Sequence, residues 1–211
     1  MGDPVALFFR HVLEARLEAL FPSGARVLHV GCGPGEEALA LAARGIRMVG
    51  IDPSWEMIHA AGGGFDGAYV NLGARGPADL PRVGAALAAA LRAGGSIVVS
   101  LAGSWPLPHM IRRTLTGVGE RRRRRDVHFA EGPPAVATPS EARTALGPAF
   151  EWTDSYALGV LVPAPAQGQW AADHPQTFGV LAALERGVRR WPGLRELGDL
   201  SVLEGRRREP A

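Results

Sequence analysis

Arg26-Val27-Leu28-His29-Val30 is a short, β-branched run that ends directly in Gly31-Cys32-Gly33-Pro34-Gly35, and residues 36–44 that follow are rich in alanine and leucine, good helix formers. A strand that runs into spaced glycines and then opens a helix brings bare backbone against a ligand, because side chains at those positions would block the approach. Arg47–Ile51 reads as a second strand, and it ends on Asp52, a carboxylate able to accept both hydroxyls of a ribose. Strand, loop, helix, strand and acid in this order constrain the chain to a parallel α/β sheet with an adenosine-binding crevice at the carboxyl ends of its strands.

The remaining elements fit that frame. Val5, Phe8, Phe9, Val12, Leu13, Leu17 and Leu20 have helical spacing, which predicts a helix over residues 4–20 that Pro22-Ser23-Gly24 stops. Gly45 ends the second helix, and residues 53–61 read as a short helix entered at Ser54. Residues 65–72 form an apolar strand, residues 80–91 a helix stopped at Gly94-Gly95, and residues 96–101 a nearly continuous apolar strand of the kind covered on both faces. Strands alternating with helices predict a doubly wound, mostly parallel sheet. Prolines and arginines dominate residues 103–137, after which a helix (139–146), a strand (150–158), helical residues 176–191 and a final antiparallel strand (197–204) are expected.

With 211 residues, 46% of them apolar, the chain can bury one full core, so residues 1–211 are expected to form a single domain. Residues 1–102 are its cofactor-binding half and residues 103–211 its substrate and lid half, with the C-terminal strands. There is no lysine, so every basic side chain is a permanently charged guanidinium, yet the net charge is only +2. The one cysteine, Cys32, excludes an internal disulfide and fits a reducing compartment. The first residues carry no basic, then apolar, export pattern, and the apolar stretch 85–101 is broken by Arg92 and Gly94-Gly95. A cytoplasmic protein with no membrane partner is the expectation.

Val27-Leu28-His29-Val30-Gly31-Cys32-Gly33-Pro34-Gly35-Glu36 resembles the first motif of class I S-adenosylmethionine-dependent methyltransferases, and Val49-Gly50-Ile51-Asp52-Pro53-Ser54 resembles their ribose-binding motif. Residues 65–72 are similar to their fourth strand, and residues 91–100 to the turn and strand that follow. Two later segments, 159–163 and 197–204, are similar to small bacterial stand-alone members of unassigned substrate. The resemblance implies a Rossmann-like fold and S-adenosylmethionine as cofactor, with S-adenosylhomocysteine as product. It also implies that Gly31, Cys32, Gly33 and Gly35 line the methionine end, that Asp52 binds the ribose, that Pro53, Ser54 and Met57 lie near the adenine, and that Asn71 and Leu72 meet the amino acid portion.

The chain departs from the family's pattern at two places. His29 stands where members usually carry an acid, and an imidazole cannot copy an acceptor-only carboxylate. Between Asp52 and Phe65 there is room for one short helix where the family has a helix, a third strand and another helix. A crossover needs about 10 to 12 residues at minimum, so the third, edge strand is expected to be missing. Because such crossovers are right-handed and the strand order reverses here, residues 54–61 are predicted to pack on the face opposite residues 36–44. The adenine pocket would then lack one wall, which a second copy of the chain, as a homodimer, could close.

Other residues carry weaker signals. His109 and His128, in the segment where methyltransferases often build substrate pockets, are candidate general bases because imidazole titrates near working pH; each also reads as an ordinary surface histidine. The arginine run 121–125 reads as a solvated loop or an anion grip, and without interleaved aromatics nucleic acid is not the expected partner. Trp105 lies in the same segment as His109 and His128, while Trp152, Tyr156, Trp170 and Trp191 could line an apolar pocket or pack in the core. Cys32 reads as a packing residue of the loop, and no metal site is expected. Three functions remain open: methyl transfer to a small-molecule acceptor, a non-catalytic binding protein on the same fold, and an NAD(P)-dependent oxidoreductase, which Glu36 disfavours because its charge would face a pyrophosphate.

Overall fold

A computed structural model describes residues 3–51, 55–71, 80–104, 107, 137–164 and 167–209. The chain opens with α1 (Pro4–Leu20), which Asp3 caps by accepting from the amides of Val5 and Ala6. Then come β1 (Arg26–Val30), α2 (Glu36–Ala42), β2 (Arg47–Ile51), α3 (Trp55–Ala60), β3 (Phe65–Asn71), α4 (Leu80–Ala90) and β4 (Leu91–Ala102). After the segment that is not described come α5 (Pro139–Leu146), β5 (Phe150–Leu158), α6 (Gly168–Asp173), α7 (Pro175–Val188) and β6 (Leu200–Arg207).

All six strands form one sheet in the order β2-β1-β3-β4-β6-β5. The pairs β1–β2, β1–β3 and β3–β4 are parallel, while β6 inserts antiparallel between β4 and β5. The sheet is therefore mostly parallel with one antiparallel C-terminal strand, and β2 is its edge beyond β1, as expected for a fold without the third strand.

Two apolar layers cover the sheet. On one face, Leu28, Val30, Ala68, Val70, Ile97 and Val99 meet Ile58 of α3, the inner side of α4 and Ala142 and Leu146 of α5. On the other, Val27, Tyr69, Val98 and Val202 meet Val5, Phe8, Phe9, Leu13 and Leu17 of α1 and Leu41 of α2. Helices α2 and α3 thus lie on opposite faces, the outcome that right-handed crossovers on either side of β1 require.

Several boundaries differ from the sequence reading. Strand β4 starts at Leu91 rather than at residue 96: Leu91 pairs with Phe65, residues 92–95 are carried as an irregularity with Gly94 at φ 72°, and regular pairing resumes at Gly67 with Ser96. The expected helix over 176–191 ends at Val188 and is preceded by a separate helix, α6, because His174 leaves helical geometry (φ −127°, ψ 56°) and Pro175 restarts it. The last strand begins at Leu200, three residues late, because Leu194–Glu196 forms a 3-10 turn whose Leu197 amide still donates to Leu194.

Candidate functional site

The carboxyl ends of β1, β2 and β3 meet where the chain reverses its direction of travel across the sheet, from β2 on one side of β1 to β3 on the other. A crevice opens at such a switch point in doubly wound sheets. Val30 pairs with Val70, so Gly31 and Asn71 leave adjacent strands side by side. The glycine loop is anchored to the second strand: the amides of Gly31 and Cys32 both donate to the Ile51 carbonyl, at 2.8 and 3.3 Å. A tight turn follows, with the Gly35 amide donating to Cys32 at 2.9 Å, and α2 begins with Leu39 donating to Gly35.

Gly31, Gly33 and Gly35 have φ of 76°, 49° and 85°, a region open to glycine and strained for other residues. Among the described residues nothing lies within 4 Å of where a Cβ would stand on Gly33 or Gly35, so there the loop presents bare backbone. That cradle fits a small ligand approaching the main chain. Cys32 is half-buried, and its Sγ lies 2.9 Å from where a Cβ on Gly50 would be, so it fills the space that Gly50 leaves over β2.

Asn71 is half-buried at the end of β3, where its Oδ1 accepts from Ser100 Oγ at 3.3 Å. Ser100 ties the end of β4 to the crevice, a contact that no short-range pattern in the sequence signals. Met57 is 44% exposed on α3. Asp52, Pro53, Ser54 and Leu72 lie outside the described residues, as do Trp105, His109, His128 and the arginine run 121–125.

His29 lies one residue below the loop's rim and is fully buried on the α1 face, stacked on Tyr69 with ring centroids 4.7 Å apart. Neither ring nitrogen has a hydrogen-bond partner among the described residues. Burial alone pushes the imidazole down to about 4, so at neutral pH it is uncharged. Glu36, at the start of α2, forms an ion pair with Arg10 of α1, which ties the loop's exit to the overlying helix. Glu37 is half-buried beside it.

The four later aromatics do not make one pocket. Trp152 packs with Phe150 on the α4 and α5 face, Tyr156 is buried on the α1 face, Trp170 stacks on His174, and Trp191 is 59% exposed. A separate cleft of about 520 Å³, lined by Pro81, Ala85, Gly147, Arg207 and Arg208 among others, opens at the amino end of the parallel strands, away from the glycine loop. Among the described residues no helix is long and apolar enough to cross a membrane.

The model of a family described as a methyltransferase domain matches residues 6–131, about three-fifths of the chain, and takes in the glycine loop and both strands beside it. The chain belongs to that methyltransferase family. In fold it is similar to an S-adenosylmethionine-dependent methyltransferase from Archaeoglobus fulgidus (15% identity, TM-score 0.52, 94% of each chain covered). It is also similar to magnesium protoporphyrin IX methyltransferase from Synechocystis PCC 6803, a structure with bound S-adenosylhomocysteine (14% identity, TM-score 0.53, 96% of this chain and 84% of that one). The cyclase SpnF has the same fold (17% identity, TM-score 0.55, 100% of this chain and 84% of that one). No curated protein matches the chain in sequence.

Proposed function

We propose that this protein transfers a methyl group from S-adenosylmethionine to a small-molecule acceptor and releases S-adenosylhomocysteine. The observation that carries the reading is the loop itself: three glycines at positive φ, with no described residue within 4 Å of where a Cβ would stand on two of them, beside Asn71 at the switch point of a methyltransferase fold. S-adenosylmethionine supplies a methyl group activated by a sulfonium, ready for in-line attack by an acceptor lone pair. The protein's part is to hold the two reactants in register, and positioning alone can account for most of such a rate gain.

In this reading the backbone of Gly31, Cys32, Gly33 and Gly35 receives the methionine end, Asp52 the ribose hydroxyls, Pro53, Ser54 and Met57 the adenine, and Asn71 and Leu72 the amino acid portion. Residues 103–211 shape the acceptor side of one domain, where His109 and His128 are candidate bases. The single cysteine supports a reducing, cytoplasmic location. A second reading, binding without transfer, is favoured by His29, a neutral buried group where an acid would help to hold the cofactor.

Thermal unfolding with S-adenosylmethionine, S-adenosylhomocysteine and NAD(P) separates the readings. A ligand at a hundredfold excess over Kd stabilises the native state by about 2.7 kcal/mol. Stabilisation by the two adenosyl ligands, with consumption of S-adenosylmethionine when acceptor mixtures are supplied, supports methyl transfer. Stabilisation without consumption favours the binding protein, and stabilisation by NAD(P) alone overturns both.

A further inference from the structure

The methionine end of the proposed cofactor carries an ammonium, which on leaving water is held most strongly by an anionic acceptor. The described residues around the glycine loop hold few candidates. His29 is uncharged and fully buried, out of reach of a ligand above the loop. Glu36 is exposed and already neutralised by Arg10. Asn71 Oδ1 accepts from Ser100 and carries no charge.

Glu37 differs from all three. It lies four residues before Leu41, so the two share a helix face. Leu41 is fully buried against the α1 face of the sheet, together with Val27 and Tyr69. Glu37 therefore points toward the same layer one turn nearer the loop, and it is half-buried where Leu39, on the other side of α2, is 71% exposed. Its charge is felt at Tyr69: burial is the main reason that phenol resists ionisation, and the Glu37 carboxylate adds to it. No cation among the described residues pairs with Glu37.

We infer that Glu37 is the carboxylate that receives the ammonium of the cofactor's methionine end, from the first turn of α2 rather than from β1. This rests on the S-adenosylmethionine reading above. His29 and Glu37 then form an exchange of places: the buried strand position holds a neutral ring that packs, and the helix position supplies the charge.

Calorimetric titration of S-adenosylhomocysteine and of 5′-methylthioadenosine, which keeps the adenosine and thioether but has no amino acid portion, tests the assignment. Glu37→Gln should weaken S-adenosylhomocysteine by about 10- to 100-fold, the range of a charged hydrogen bond, and leave methylthioadenosine unchanged. Glu37→Asp, which keeps the charge on a shorter arm, should lose less. Unchanged S-adenosylhomocysteine affinity in Glu37→Gln, or equal losses for both ligands, overturns the inference alone. Failure of the unmodified protein to bind S-adenosylhomocysteine overturns the functional reading and this inference with it.

Discussion

The imidazole of His29 lies against the ring of Tyr69, its register partner on the next strand, with centroids 4.7 Å apart and planes 30° from parallel. Both rings are fully buried, and the histidine has no polar partner among the described residues. The fold therefore holds it neutral down to about pH 4, whereas the unfolded chain takes up its proton near 6.5. Between those values the unfolded state binds more protons, so the contribution is fully present above 6.5 and is lost as pH falls toward 4. Wild type should lose about 2.5 kcal/mol more than His29→Leu between pH 7.5 and 4.5. Urea unfolding at both pH values measures this; parallel losses would show that His29 is not the titrating group. At pH 7.5 the variant should lie within about 1 kcal/mol of wild type, because no hydrogen bond is removed.

Glu185 of α7 is fully buried and accepts from three consecutive backbone amides, Val160 at 3.0 Å, Leu161 at 2.6 Å and Val162 at 3.3 Å. It closes the turn that leaves β5 and fixes α7 to it. Glu185→Ala strands three donors and should destabilise the protein by about 3 kcal/mol, seen as a lower urea midpoint with little change in slope. A loss under about 1 kcal/mol would mean that water satisfies the turn.

Arg16 of α1 grips the buried carboxylate of Glu204 on β6 with two nitrogens, Nε at 3.0 Å. Arg16→Ala leaves that charge buried and unpaired, at a cost of about 3 kcal/mol, while the apolar pair Arg16→Met with Glu204→Leu should be more stable than the single variant. Denaturation of wild type, Arg16→Met, Glu204→Leu and the double variant, alongside Arg16→Ala, decides this. A double variant as unstable as the sum of the single ones would show that the pair is not coupled.

Two helical glycines should respond in opposite ways. A Cβ on Gly84 of α4 would collide with the backbone of Leu146 at the end of α5, so Gly84→Ala forces the two helices apart and should cost about 2 kcal/mol. Gly179 of α7 has no described residue within 4 Å of where its Cβ would stand, and Gly179→Ala should gain about 0.5 to 1 kcal/mol from helix propensity alone. Melting temperatures that moved the same way in both would contradict the packing described for α4 and α5.

What could be read in the sequence was what short-range chemistry writes. Strands Arg26–Val30 and Arg47–Ile51 and helix Pro4–Leu20 fall where β-branched runs, apolar spacing and flanking glycine or proline put them. The opposite placement of α2 and α3 followed from handedness and chain length. The start of β4 did not, because Gly94-Gly95 has the composition of a stop and only the pairing of Leu91 with Phe65 carries the strand across it. In the site, the glycine loop was legible as a local motif. Arg16 and Glu204 lie 188 residues apart, and Glu185 and its amides about 24, so their meeting depends on the completed fold. Glu37 offers a partial signal, its spacing from Leu41, but its meaning depends on His29 being sealed beneath the sheet's α1 layer.

The central claim is that the glycine loop holds S-adenosylmethionine, and a titration of unlabelled S-adenosylhomocysteine into nitrogen-15 protein, followed by amide resonances, tests identity and place together. The prediction is saturable shifts concentrated at Gly31, Cys32, Gly33, Gly35 and Asn71. No saturable shift, or shifts confined to the cleft beside Arg207 and Arg208, would contradict it.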